Sequence, residues 1–246
     1  SIAVHEDWVY VLNAGGSGTG NITGFVLTSR ETLKPIPGST RPLSGPATAP
    51  AQIEFNPEGD TLVVTEKATK IIDTYTVDDD GIATGPVSQP SNGVTPFGFS
   101  FNKRGVLIVS EAFGGAPNAS AVSSYALRKG VLTLLSGSIP DFQSAACWIV
   151  ITKNGKFAYT SNTGSNNISS YRVGRDGTLT LLATVAASTG AAPIDMALRG
   201  NSKFLYVLNA TAGSIEVFRV ERGNGQLTPV TSVSGLPAGA NGLVAR

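Results

Sequence analysis

The sequence predicts an all-β propeller built from four-stranded antiparallel blades. One unit is written five times: an apolar run ending in Asn or Glu, a polar turn, then Ile or Val followed three residues later by an aromatic residue. The aromatic positions lie 50, 50, 46 and 47 residues apart and are Phe25, Tyr75, Tyr125, Tyr171 and Phe218. No stretch reads as an amphipathic helix of useful length. Short strands repeating every roughly 40 to 50 residues are typical of propeller blades.

Each repeat offers two further strands beside the pair that forms this unit. The first is a short apolar alternation before a turn rich in Asn, Pro and Gly, such as Asn56-Pro-Glu-Gly59 or Asn102-Lys-Arg-Gly105, and such residues favour tight hairpins. The fourth follows a Gly-x-Leu-Thr start at Gly130, Gly177 and Gly225, with weaker versions in the first two repeats. We therefore expect five complete blades.

The segments between repeats are rich in Gly, Pro, Ser and Ala, notably residues 37–50, 85–96 and 185–193. We interpret them as crossings from an outer strand back to the axis, and not as linkers between domains. Residues 1–246 are then one propeller domain, made of five repeats of about 45 to 53 residues. Residues 239–245 resemble an extra first strand with no blade after it, whose pairing partner is absent from the chain.

Composition excludes several classes of function. The formal net charge is +1 with 14% charged residues spread along the chain, which predicts neither nucleic acid nor a membrane as partner. No apolar run approaches the roughly 20 residues that span a bilayer, so we expect a soluble protein, either cytoplasmic or secreted or periplasmic. Cys147 and His5 are the only residues of their types, which excludes an intrachain disulfide and the common zinc sites.

The whole chain resembles the seven-bladed β-propeller lactonase family, which includes proteins of the 6-phosphogluconolactonase and carboxymuconate-lactonizing types. The resemblance rests on phrases such as Trp8-Val-Tyr-Val-Leu-Asn-Ala-Gly15, Pro96-Phe-Gly-Phe-Ser-Phe101 and Phe204-Leu-Tyr-Val-Leu-Asn209. It implies that the five repeats are the last five blades of seven.

The same resemblance implies a partner. Two blades, about 95 residues, would precede Ser1, and our first hypothesis is that a precursor is cut there and its N-terminal piece stays associated. A stand-alone five-bladed ring and a simple fragment remain alternatives.

The family's catalytic pattern is mostly missing. This chain has Pro50-Ala51 where the family has Pro-His, Pro96-Phe97-Gly98 where it has Pro-Arg-His, and Asn162-Thr163-Gly164 where it has Asn-Arg-Gly. Only the acid Glu111 matches. A site without these histidines and arginines cannot bind an anionic lactone in the family's way, so sugar phosphates and muconates are not the expected substrates.

A candidate site follows from the order of the strands. First and second strands are antiparallel, so the start of one and the end of the other meet at one mouth of the central channel. Convergent polar groups in a concavity are the default site. The expected substrate-binding residues at this mouth are Asn13, Gln52, Phe97, Trp148, Asn162, Asp195 and Asn209.

Four residues are candidates for catalysis. Ser1 could act as nucleophile with its own α-amine as base, as in N-terminal hydrolases. Glu66 and Lys67 form an acid-base dipeptide that could orient or activate a hydroxyl, and Glu111 could position a water molecule. Each also has a plain structural interpretation: an arbitrary first residue, a solvent-facing ion pair, and a residue that only lines the channel.

Three functions remain open. The first is a hydrolase of an ester, lactone or amide that uses Ser1 and needs no cofactor. The second is a non-catalytic binding or scaffold propeller with a decayed site. The third is a lactonase that uses Glu111 and water, with a divalent metal held by Glu66, Glu111, Asp195 and Asn side chains, since oxygen ligands suit calcium or magnesium.

Overall fold

The structure is a computed structural model, and it describes residues 1–16 and 18–245. All regular structure in these residues is β except one turn of 3-10 helix at Phe113–Gly115. The strands form five separate antiparallel sheets, each following the order of the chain. The predicted all-β blade architecture is therefore confirmed.

The sheets are numbered here as blades in chain order. Blade 1 contains β1 (Ile2–His5), β2 (Trp8–Asn13), β3 (Asn21–Leu27), β4 (Leu33–Pro35) and β5 (Arg41–Pro42), of which β4 and β5 both pair with β3. Blade 2 contains β6 (Pro50–Phe55), β7 (Thr61–Glu66), β8 (Ile71–Val77) and β9 (Ala83–Pro90). Blade 3 contains β10 (Pro96–Phe101), β11 (Val106–Glu111), β12 (Ala121–Arg128) and β13 (Val131–Pro140). Blade 4 contains β14 (Ala146–Ile151), β15 (Phe157–Asn162), β16 (Asn167–Val173) and β17 (Leu179–Ser188). Blade 5 contains β18 (Pro193–Leu198), β19 (Phe204–Asn209), β20 (Ser214–Val220) and β21 (Leu227–Ser234).

The core lies between the blades, because each sheet buries apolar side chains on both faces. Between blades 1 and 2, for example, Tyr10 packs edge-on against Phe55, with 6.0 Å between the ring centroids. Burying such faces against one another is what makes several short sheets one stable body.

A glycine carbonyl at the start of each fourth strand joins neighbouring blades. The carbonyls of Gly81, Gly130, Gly177 and Gly225 each accept a hydrogen bond of 2.6 to 2.8 Å from a hydroxyl of the preceding blade. All four glycines have a positive φ between 74° and 87°, a conformation that costs other residues energy. The positive φ, together with the hydrogen bond to the preceding blade, explains why the Gly-x-Leu-Thr pattern begins with glycine.

The crossings between blades are shorter than the sequence predicted. Residues 85–90 belong to β9 and residues 185–188 to β17, while β5 lies inside residues 37–50. The prediction was wrong there because outer strands are exposed on much of their surface and so need few large apolar residues. Only the ends of these segments cross to the next blade.

The inner strands pack side by side in the order β1, β6, β10, β14 and β18. No packing of similar extent joins β18 back to β1 in the part of the chain that the structure describes. The outward face of β1 is correspondingly bare, with Ile2 65% and Val4 61% exposed, whereas Ala3 on the other face is buried against blade 2. The five blades thus form an open arc.

The tail after β21 has no strand in residues 235–245. The extra first strand expected at residues 239–245 is therefore not formed within this chain, since a strand exists only when a neighbour accepts its backbone hydrogen bonds.

No helix in the described residues is long and apolar enough to cross a membrane.

Candidate site at the channel mouth

A cavity of about 710 Å³ lies where the inner strands begin. All five blades and the tail contribute to it, so it is the mouth of the central channel. Its lining consists of Ser1, Ile2, Pro50, Ala51, Lys67, Phe97, Cys147, Trp148, Ile194, Asp195, Asn241, Gly242 and Leu243. The structure therefore brings together five of the predicted site residues, namely Ser1, Lys67, Phe97, Trp148 and Asp195.

The backbone aims these side chains by a repeated device. The residue before each of the last four inner strands has a positive φ of 47° to 57°, and these residues are Ala49, Thr95, Ala145 and Ala192. In the same four strands the pairing register then shifts, between the first strand residue and the third or fourth. Such irregularities redirect a side chain that a regular strand would place elsewhere. They lie at the positions that line the cavity.

Lys67 supplies the positive charge of the lining. Its Nζ lies 4.7 Å from the centroid of the Phe97 ring, a distance at which the ring face attracts the ammonium group. Phe97 and Trp148 add flat apolar surface to the same cavity. This wall suits a small ligand with an oxygen atom or a carboxylate that binds the Lys67 ammonium group and an apolar part that packs against the two rings.

Asp195 is the carboxyl group of the lining. Its Oδ1 accepts a hydrogen bond from the Met196 N–H at 2.7 Å, and its Oδ2 accepts one from the Leu243 N–H in the tail at 2.8 Å. Burial raises the pKa of Asp195 to about 6, although both hydrogen bonds oppose the shift. Asp195 can thus exchange a proton near neutral pH, and it also fixes the tail beside the cavity.

Ser1 is held at the cavity wall by its neighbours. Its carbonyl oxygen accepts a hydrogen bond from the Leu12 N–H at 2.9 Å, and its Oγ accepts a long one from the Ile53 N–H at 3.4 Å. The weak bond leaves the Ser1 hydroxyl proton free to be donated or removed.

Cys147 lines the cavity as an uncharged thiol. Burial raises its pKa, and the opposing influences of Thr163 and Lys67 are smaller. Since the thiolate is the nucleophilic form, this residue serves as cavity wall.

Glu66 lies outside the cavity, contrary to the expectation from sequence. It is fully buried, and its carboxylate accepts hydrogen bonds from the Ser44 N–H at 3.0 Å and from the hydroxyls of Ser44 and Thr69. Asp73 shares the Ser44 N–H at 3.0 Å. Burial, followed by the hydrogen bond and charge of Glu66, raises the pKa of Asp73 to about 7. The two acids therefore hold the crossing from blade 1.

Glu111 occupies the equivalent position in blade 3, and it likewise holds the crossing from the preceding blade. Its Oε1 accepts hydrogen bonds from the Gly93 N–H at 2.8 Å and the Ser123 hydroxyl at 2.5 Å, and its Oε2 accepts one from Ser138 at 2.7 Å. Burial raises its pKa against these hydrogen bonds. We name the position at the end of a second strand the latch position, because its side chain binds the crossing loop in blades 2 and 3.

The predicted amides also lie outside the cavity. Asn162 donates to Asn167 at 2.9 Å and to Ser169 at 2.8 Å, and Asn209 donates to Ser214 at 3.3 Å. Asn13 donates to Asn21 at 2.8 Å. These three asparagines occupy the latch position of their blades, and each side chain closes the turn between the second and third strands by bonding the first residue of the third strand.

Gln52 joins two inner strands. Its amide donates to the Phe99 carbonyl at 3.0 Å and accepts from the Phe99 N–H at 2.8 Å. A glutamine paired twice with a neighbouring backbone is a structural bridge, so Gln52 does not present its amide to the cavity.

Glu54 was missed by the sequence reasoning. It lies two residues after Gln52 on the same face of β6, and the Gln52 amide donates to its Oε2 at 3.0 Å. Burial raises the pKa of Glu54 to about 8, so it is protonated at neutral pH. The signal was present in the sequence, since the equivalent residues in blades 3 to 5 are the uncharged Ser100, Val150 and Ala197.

The acids proposed for a metal do not converge. In residues 1–16 and 18–245, no group of three or more His, Cys, Asp or Glu side chains is arranged to hold a metal ion. Glu66, Glu111 and Asp195 belong to blades 2, 3 and 5 and each has its own hydrogen-bond partners.

Comparison with known proteins places this geometry in context. Residues 124–241 match the family model "Lactonase, 7-bladed beta-propeller". Comparison with curated protein sequences gave no match.

Solved structures share the fold at low identity. A candidate 6-phosphogluconolactonase of Bacteroides fragilis is 18% identical with a TM-score of 0.79, over 96% of this chain and 70% of that one. A second candidate, from Bacteroides uniformis, is 16% identical with a TM-score of 0.79, over 96% and 72%. The periplasmic gluconolactonase PpgL of Pseudomonas aeruginosa is 17% identical with a TM-score of 0.72, over 95% and 69%. In sequence over residues 124–241, and in fold over almost its whole length, this chain resembles the seven-bladed β-propeller lactonases.

Proposed function

We propose that the cavity at the channel mouth hydrolyses a lactone, or a related ester or amide. The family match supports a lactone hydrolase at family level. The observation that carries the proposal to this site is the convergence of a hydroxyl, an ammonium group and a carboxyl group, from Ser1, Lys67 and Asp195, on one partly apolar cavity.

In the proposed reaction the Ser1 Oγ attacks the acyl carbon while the α-amine of the same residue takes the hydroxyl proton. The Lys67 ammonium stabilises the negative charge that develops on the carbonyl oxygen. The bond between the acyl carbon and the ring oxygen breaks, and that oxygen takes a proton from Asp195. Water then attacks the acyl carbon of the ester and gives a proton to Asp195. The bond to the Ser1 Oγ breaks, the Ser1 ammonium returns its proton to that oxygen, and a hydroxy acid is released.

This mechanism needs a free α-amine on Ser1. We propose that cleavage of a precursor before Ser1 creates it, so that nucleophile and base appear together. Intact-mass measurement of the protein produced from its full gene checks this: a mature chain that begins at Ser1 supports it, and a mature protein in which Ser1 is internal contradicts it.

The lining also limits the substrate. Lys67 is the one basic side chain among the described residues that line this cavity, and two aromatic rings face the same space. A neutral or singly charged lactone with an apolar ring fits these groups better than a sugar phosphate or a dicarboxylate, which would need further cations.

The direct test is trapping of the acyl intermediate. We expect incubation with a reactive β-lactone to add its mass to the peptide that begins at Ser1, and Ser1→Ala to abolish the label. Ser29→Ala, which changes an exposed turn of blade 1, is the matched control and should label fully. A label on another residue, or none, would contradict the proposed nucleophile.

The second candidate is a binding propeller without catalysis. It is favoured by the structural roles of Glu66 and of Glu111, the one acid that matches the family pattern. It predicts that lactones bind in the cavity and are recovered unchanged from every variant. The metal-assisted lactonase is not carried forward, because the acids it requires lie in three separate blades.

We further propose that two more blades complete the ring around this single domain. Support comes from the bare face of β1, where Ile2 and Val4 are exposed, and from the 70% and 72% shares of the Bacteroides structures, which five blades out of seven would occupy. We expect about 95 further residues, in the same chain or as an N-terminal fragment bound to it. Native mass spectrometry of the protein from its full gene would contradict this if it showed only the mass of five blades.

A further inference from the structure

The face opposite the channel mouth separates the charges of the chain. Each blade is an antiparallel meander, so the turn after its first strand and the turn after its third strand lie at the same end of the sheet. The inner strands all begin at the mouth, which places both turns of every blade on the far face. We call this surface the turn face.

Blades 1 and 2 present acids on the turn face. The turn after β6 exposes Glu58 and Asp60, and the turn after β8 exposes three consecutive aspartates, Asp78–Asp80. In blade 1 the turn after β1 consists of the exposed pair Glu6 and Asp7. Arg30 and Glu31 offset each other in its second turn.

Blades 3 and 4 present bases at the equivalent places. The turn after β10 exposes Lys103 and Arg104, and the turn after β12 exposes Arg128 and Lys129. In blade 4 the turn after β14 exposes Lys153, followed by Lys156. Charges that are spread evenly along the sequence therefore form two regions on the turn face. We call them the acidic field, on blades 1 and 2, and the basic field, on blades 3 and 4.

These charges are not neutralised within the chain. Among residues 1–16 and 18–245, the one ion pair within 4.0 Å is Arg219 with Glu221. Arg104 donates to the neutral Gly174 carbonyl at 3.1 Å, and the charged residues lining the nearby cavity between blades 3 and 4 are three arginines and one acid, namely Arg104, Arg128, Arg175 and Asp176. The basic field is therefore available to an external partner.

We propose that the turn face binds a second copy of this chain, face to face, about a two-fold axis that passes between blades 2 and 3. Such an axis sets blade 2 of one copy against blade 3 of the other, and blade 1 against blade 4. The acidic turns then meet the basic turns at equal distance from the channel. Asp79 and Asp80 lie opposite Arg128 and Lys129, Glu58 opposite Lys103, and Glu6 opposite Lys153.

The occupant follows from the presence of both signs on one surface. A nucleic acid or an anionic bilayer would gain the basic half and be repelled by the acidic half. A second copy related by a two-fold axis satisfies each field twice, because such contacts are self-complementary. Complementary potentials of this kind guide association and select the partner.

The first measurement is the mass in solution as a function of salt. We expect the protein to be a dimer by light scattering at about 0.02 M salt and to become monomeric at about 0.5 M, because exposed charges are screened within a few ångströms there. A monomer at low salt, at every concentration tested, would overturn the proposal.

Charge reversal tests the pairing itself. Asp79→Lys with Asp80→Lys makes blades 2 and 3 both basic, and Arg128→Glu with Lys129→Glu makes both acidic. We expect each double variant alone to dimerise at least about tenfold more weakly and an equimolar mixture of the two to recover the dimer. The control Lys70→Glu, on the opposite face, should dimerise normally.

Two results would contradict the two-fold contact. One is a mixture that remains monomeric although each variant keeps the far-ultraviolet circular dichroism of the parent. The other is a low-salt dimer that both double variants retain, since that dimer would use another surface.

Discussion

Glu54 shows how its surroundings on an inner strand change the chemistry of one residue. Within the described residues its carboxyl has a single side-chain partner, the Gln52 amide at 3.0 Å, and no cation is paired with it. Burial disfavours the charged form and raises the pKa of Glu54 from 4.5 to about 8. The fold therefore holds this group as a neutral acid.

This shift makes stability depend on pH with a definite sign. The folded protein keeps the Glu54 proton up to about pH 8, whereas the unfolded chain loses it near 4.5. The contribution is therefore full below the unfolded pKa and is lost as the pH rises through that window, by at most about 1.4 kcal/mol per pH unit.

Glu54→Gln should remove this dependence, because the amide does not titrate. We expect the free energy of unfolding of the variant, relative to the parent, to increase from about pH 5 to about pH 8 in urea titrations. Parallel stability curves for the two proteins would show that Glu54 is ionised in the folded state.

At the scale of one strand, two neighbouring residues at its end have different roles. Lys67 follows Glu66 directly, yet Lys67 lines the cavity while Glu66 holds the crossing from blade 1. Glu66 is the last residue of β7 and Lys67 is the first residue of the turn after it, so the backbone changes course between the two side chains. The sequence could predict that this strand end lies at the mouth, but periodicity alone does not say which neighbour faces the channel.

The latch position of blade 3 makes a stability prediction. Glu111→Ala removes the acceptor of three donors, the buried Gly93 N–H and Ser123 hydroxyl and the half-buried Ser138 hydroxyl, so we expect a loss of about 3 kcal/mol in the free energy of unfolding. Glu111→Gln keeps one acceptor and can donate to Ser138, so its loss should be about 1 kcal/mol. Urea denaturation measures both, and an Ala variant as stable as the parent would refute the structural role.

At the scale of the whole molecule, the repeat pattern in the sequence was enough to predict most of the fold. Five units with the same aromatic spacing were enough to predict five blades, and the Gly-x-Leu-Thr starts marked β13, β17 and β21. The exposed outer strands were harder, since Ala83–Pro90 contains few large apolar residues.

The site was only half predictable for a related reason. Ser1, Lys67, Phe97, Trp148 and Asp195 meet at the mouth as expected. The asparagines, Gln52, Glu66 and Glu111 are consumed by hydrogen bonds that join one blade to the next or close its turns. The asparagines bond residues of the same hairpin. Gln52, Glu66 and Glu111 have partners distant in the chain, and no spacing rule within one repeat reveals those.

The arc also separates charge in a way that the linear sequence conceals. Turns some 50 residues apart come together on one face, so the acids of the first two repeats and the bases of the next two become adjacent fields. Net charge near zero therefore describes the chain and not its surface.

We infer that chemistry takes place at the cavity and not at the latch acids. The most direct measurement compares kcat/KM of Ser1→Ala and Glu111→Gln on one lactone that the parent hydrolyses. We predict a loss of at least about a thousandfold for Ser1→Ala, as for removal of a nucleophile, and a change within about threefold for Glu111→Gln, which keeps the fold. A large loss for Glu111→Gln, with Ser1→Ala fully active, would contradict the account.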